Sequence, residues 1–138
     1  MAVPFTNRVP RHFTKTITFT GAASNGAVGT VAVATVTGSV LLVSGGIRCT
    51  TNLAGATATV ELGTAGNTAG LIALTTATDI DADDFWQDTT PEVKVSPAIV
   101  NQLVGGNIII TVATADVTAG VLVIDFYWLP HSATGNMA

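Results

Sequence analysis

Short segments rich in Thr, Val and Ala, each closed by Gly, recur along the whole chain, and no stretch carries the apolar rhythm of a long helix. A chain punctuated in this way is restricted to β-architecture. From Phe13 to Thr20 the alternation is strict: Thr14, Thr16, Thr18 and Thr20 take one face, Phe13, Ile17 and Phe19 the other, and Lys15 is the exception on the apolar side. Thr57 to Leu62 repeats the pattern, with Ala58, Val60 and Leu62 set against Thr57, Thr59 and Glu61. Val28 to Thr37, then Val40 to Val43 and Ile47 to Thr51, read as two or three consecutive antiparallel strands, turned at Gly38-Ser39 and broken or bulged at Gly45-Gly46. Leu71 to Thr76 and Glu92 to Val95 are further strands. Ile108 to Thr114 and Val121 to Leu129 give the strongest β signal and predict a hairpin. Only Ser96-Pro97 followed by Ala98 to Val104 and Gly105-Gly106 carries helix punctuation, which predicts one or two helical turns there. About eight strands at turn spacings of about ten residues predict an all-β, antiparallel sandwich or barrel.

Three regions follow from the pattern: an extended, locally basic arm over 1–12, in which Pro4 and Pro10 bracket Asn7, Arg8 and Val9 and Arg11-His12 follow; the β-domain over 13–132; and a tail over 133–138. At 138 residues this is one domain. Charged residues make up only 10 % of the chain and hydrophobic residues 48 %, more apolar surface than one small domain hides by itself. The surplus points to subunit contacts. The final strand agrees, because Leu122, Ile124, Phe126 and Trp128 fall on one face while Val121, Val123, Tyr127 and Leu129 fall on the other beside Asp125. A strand apolar on both faces is covered on both faces, so a partner over Val121, Val123 and Tyr127 is expected. A symmetric homo-oligomer is the simplest such cover, with a trimer favoured. The longest apolar stretch is far short of a membrane span. Since the first residues lack a secretory pattern, the chain is expected to stay in the compartment that makes it. The net charge of −4, without a basic stripe, argues against direct binding of nucleic acid.

Chemistry finds little to use. His12 and His131 lie near the two ends of the chain, where burial that would tune them is uncommon, so no catalytic residue is assigned and the chain is read as non-enzymatic. Cys49 stands alone inside an alternating segment and reads as a core filler rather than a reactive thiol. Gly63-Thr-Ala-Gly66-Asn-Thr-Ala-Gly70 lacks the Lys and Ser/Thr of a phosphate-binding loop and reads as a turn. Asp79, Asp81 and Asp83 recur at a spacing that suits Ca²⁺, yet the twelve-residue calcium-loop pattern fails at Asp84 and Thr90. A solvated acidic loop is the preferred reading, and no metal or cofactor is assigned. Phe85 and Trp86 within that loop point in different directions, so one can plug the core while the other meets a neighbour; Trp86 reads first as the core plug, and it is also the sharper candidate for a contact.

The segments Val60 to Ala73, Asp79 to Asp88 running into Thr90-Pro91-Glu92, and Asp116 to Pro130 resemble small structural proteins of tailed bacteriophages, a likeness that spans about residues 13–132. The resemblance implies a jelly-roll-like β-sandwich attached to the virion, which assembles in the host cytoplasm. It implies a capsid decoration (cement) protein, trimeric and bound to the major capsid protein or another virion protein, that stabilises the head shell. The alternative is a receptor- or glycan-binding module of a head fibre or tail, for which Trp86 with Asp84, Gln87 and Asp88 would be the binding platform.

Overall fold

The computed structural model describes residues 9–88 and 99–138. Ten strands run in chain order: β1 (Arg11–Thr18), β2 (Gly29–Ala34), β3 (Val36–Thr37), β4 (Val40–Ala54), β5 (Thr59–Thr64), β6 (Asn67–Thr76), β7 (Ile99–Val104), β8 (Ile108–Ala113), β9 (Ala119–Pro130) and β10 (Asn136–Met137). One 3-10 turn, Ala77–Asp79, follows β6. Eight of the strands form two four-stranded antiparallel sheets, ordered β1-β9-β4-β7 and β2-β8-β5-β6, and the two-residue strands β3 and β10 pair with each other. The pairs are nested: β1 with β9, β2 with β8, β4 with β7, and β5 with β6. A long hairpin rolled on itself produces this order, which is the jelly roll, two Greek keys closed into a sandwich.

Side chains of the two inner faces make one continuous core. On β9 Leu122, Ile124, Phe126 and Trp128 are buried, as the alternation predicts, and they face Val60, Leu62, Ile110 and Val112 of the other sheet. Removing this apolar area from water is the main stabilising term, on the order of 2 kcal/mol for each large aliphatic side chain. Lys15, the polar exception on the apolar face of β1, has a definite place. Its Nζ donates to the Ala32 carbonyl of β2 at 2.9 Å, tying together the strands that are outermost in the two sheets among the described residues.

Several expectations are corrected. Residues 108–114 and 121–129 are strands but form no hairpin: β8 lies between β2 and β5, and β9 lies between β1 and β4. Their connection is held by distant groups, since Val117 N–H bonds to the Gly26 carbonyl, Thr118 N–H to the Ala54 carbonyl, and Asp116 Oδ1 accepts from Val28 N–H. These bonds, with Thr114 at positive φ, carry the chain across to the other sheet. Segments 28–37 and 40–43 are likewise divided between the sheets, so they are not successive neighbours.

The helical turns expected over 98–104 are absent from 99–104, which is strand β7, with Ile99 and Val104 buried against β4. Pairing with β4 overrides the local Ser-Pro and Gly-Gly punctuation. The strand expected over Glu92 to Val95 lies outside the described residues. Gly45-Gly46 does not break β4, which runs on through both; the bulge lies just before them, where the register with β9 shifts between Leu42 and Ser44. The limits of the domain also move: Arg11 and His12 belong to β1, and at the other end Met137 is buried while Ala138 and Thr35 exchange two backbone bonds. Arg8 lies outside the described residues.

Candidate functional site

Exposed apolar side chains gather on the outer face of the sheet β1-β9-β4-β7, whereas Val28 and Leu74 are exposed singly elsewhere. The strand registers lay it out in rows. Leu103, Leu41 and Leu129 stand opposite one another on β7, β4 and β9, and the next row is Val100, Ser44, Tyr127 and His12. Gly46, Asp125 and Thr14 follow, then Arg48, Val123 and Thr16, then Thr51, Val121 and Thr18. Leu103 is 60 % exposed, Tyr127 45 % and Val100 41 %, whereas Val121 and Val123 are half-buried. Of the residues assigned from sequence to a partner contact, Val121, Val123 and Tyr127 thus share one face.

Around Tyr127 the side chains are fixed. The His12 ring stacks on it with centroids 4.9 Å apart, and His12 Nε2–H donates to Asp125 Oδ1 at 2.7 Å. Arg11, another sequence candidate, lies on the opposite side of β1 with its guanidinium 5.2 Å from the Trp128 ring. These contacts hold the first two residues of β1 from both of its sides.

The acidic segment forms the border of this face. Beyond β7, the edge of β4 is paired by residues 80–86: Cys49 N–H bonds to the Asp84 carbonyl, Asp83 N–H to the Cys49 carbonyl, Trp86 N–H to the Ile47 carbonyl, and Leu53 N–H to the Ile80 carbonyl. Ala82 N–H also bonds to Asn52 Oδ1. The loop therefore behaves as a substitute edge strand, and strand-like alternation turns its two aromatics in opposite directions. Trp86 is buried at 3 % exposure, with Nε1–H donating to Thr75 Oγ1 at 2.9 Å. Phe85 is 57 % exposed. A Cβ placed on Gly46 would meet the Phe85 ring at 3.5 Å, so the ring covers the backbone of Gly46 and joins the apolar face.

Trp86, the sequence candidate for a contact, lies in the core, while Phe85 is the exposed member of the pair; Leu103 and Val100, expected in helical turns, stand exposed on the sheet face instead. Only the pairing of the loop with β4 fixes the parity, and that pairing joins residues about 30–40 positions apart in the chain. Asp79, Asp81, Asp83 and Asp84 project into solvent. Among the described residues no group of three or more His, Cys, Asp or Glu side chains is close enough to hold a metal ion. No helix among them is long and apolar enough to cross a membrane.

No protein-family model matches this sequence, and no curated protein matches it. In structure the chain is similar to a chain of the cyanophage Pam1 capsid asymmetric unit, with a TM-score of 0.53 and 18 % identity over 94 % of this chain and 93 % of that one. The likeness is one of fold, and it extends over nearly the full length of both chains.

Proposed function

We propose that this chain is a non-enzymatic structural protein of a bacteriophage virion, and more specifically a capsid decoration (cement) protein that binds and stabilises the head shell as a trimer. The observation that carries the reading is the near end-to-end likeness of its jelly roll to a chain of a phage capsid. The exposed apolar face built on β4, β7 and β9 supports it, because a chain with so few charges needs cover for such a surface. The alternative, a glycan- or receptor-binding module, required Trp86 as an exposed platform, and Trp86 is part of the core. Two measurements test the proposal. Electron cryomicroscopy of the purified particle is expected to show the jelly roll on the outside of the head shell, and heads lacking the protein are expected to open at lower temperature. Density confined to the tail would refute the cement assignment. Light scattering is expected to give three 14.0 kDa chains per particle in solution, and a stable monomer at micromolar concentration would refute the trimer.

A further inference from the structure

The border segment 80–86 does more than close the edge of β4, and its chemistry indicates what it meets. We infer that Phe85 is the anchor of a docking surface for a protein partner that offers an apolar pocket ringed by Lys or Arg. From the proposal above this takes only the idea that the chain docks on another protein; the chemistry of that partner comes from the arrangement of this one.

Phe85 is not a mobile loop side chain. The backbone on either side of it is bonded to β4, through Asp84 to Cys49 and through Trp86 to Ile47, and Trp86 is locked in the core by burial and by its bond to Thr75. Its ring rests over Gly46, a position with no side chain to hide it. An aromatic held rigidly in the open loses little conformational freedom on binding, which is the property of an interface anchor. Around it the charges are mostly of one sign: Asp81, Asp83 and Asp84 precede it in the loop, and Asp125, which accepts from His12, stands opposite Gly46. Arg48 is the basic residue beside them, bridged to Phe85 through the backbone.

A second copy presenting this same patch fits poorly as the occupant, so the contacts of a trimer, which join unlike surfaces, lie elsewhere on the chain. Face-to-face contact would bring the aspartates of one copy toward those of the other, and the remaining basic side chains among the described residues are engaged, Lys15 with Ala32 and Arg11 with Trp128. Complementarity therefore favours a different protein, apolar at the centre and basic at the rim.

The test uses the full-length chain and two synthetic amphipathic helical peptides of equal length, one with Leu on one face and Lys on the other, the second with Glu in place of Lys. By NMR, the Leu/Lys peptide is expected to shift the amide signals of Gly46, residues 81–87, Val100, Leu103 and Tyr127. It is also expected to bind at least tenfold more tightly than the Leu/Glu peptide, with affinity falling as salt rises. Phe85→Ser should weaken binding at least fivefold at unchanged melting temperature and Phe85→Leu should restore part of it, while Leu74→Ser, on the other sheet, should change nothing. Equal affinity for both peptides, shifts centred elsewhere, or indifference to Phe85→Ser would each overturn the inference. Re-addition of the protein to heads that lack it separates the two readings. Peptide binding without head binding would refute the cement assignment and leave the docking surface standing, whereas loss of the peptide result refutes the docking surface whatever the heads do.

Discussion

Two adjacent glycines show how finely single residues are placed. A Cβ on Gly45 would lie 2.8 Å from the Phe126 ring and 3.2 Å from Ile99 Cβ, both inside the core, whereas a Cβ on Gly46 would meet the exposed Phe85 ring at ordinary contact distance. Gly45→Ala is therefore expected to cost about 1–3 kcal/mol through overpacking, and Gly46→Ala to stay near the wild type, as denaturant melts of the pair will check. Cys49 provides a second expectation. Its thiol is buried and donates to the Thr51 carbonyl at 3.1 Å. Burial, reinforced by the charges of Asp81 and Asp84, pushes its pKa above the ordinary value of 9.0, against the smaller lowering effect of its backbone hydrogen bonds. A raised pKa means that the folded chain holds the proton more tightly than the unfolded one. That contribution to stability is complete below about pH 9 and is lost as pH climbs through the folded value. Stability should thus fall more steeply above pH 9 in the wild type than in Cys49→Ala, and a thiol reagent at pH 8 should label the native protein only at the rate at which it opens.

At the scale of elements, what was legible in the sequence was the alternation within strands, and what was hidden was how the strands associate. Phe13 to Thr20 and Val121 to Leu129 could be read correctly because a period of two follows directly from one covered face. The hairpin expected between residues 108 and 129 failed because a turn signal looks the same whether the chain folds back within a sheet or crosses to the other. The helical turns expected at 98–104 failed because strand pairing at a long sequence distance outweighed a local cap. In the candidate site, Tyr127, Val121 and Val123 were legible from the two-sided character of β9. Phe85 was not, since its direction depends on how 80–86 pairs with β4. β1 supports an expectation of its own. Extending an N-terminal deletion from residue 8 to residue 12 removes the stacking of His12 on Tyr127, its bond to Asp125 and the contact of Arg11 with Trp128. Together these contribute about 1–3 kcal/mol, so the longer deletion should melt several degrees below the shorter one in calorimetry.

For the whole molecule, the nesting of strand pairs governs how the fold can be reached. β9, the last long strand of the chain, sits in the interior of its sheet with β1 on one side and β4 on the other. Its register joins Arg11 to Trp128 and Thr18 to Val121. Loops of this length close slowly, so refolding after rapid dilution from denaturant should take milliseconds to seconds, and a microsecond phase that accounts for the full fluorescence change would contradict this view. During synthesis the consequence is sharper. Until residues 119–130 have left the ribosome, β1 has no neighbour in its sheet and the inner faces of β4 and β1 have nothing between them. Emergence of residues 119–130 is thus the event that permits this sheet to form, and a product terminated before them cannot imitate the fold. Copies that lack β9 are thereby kept from presenting the face of this sheet, a form of proofreading performed by topology.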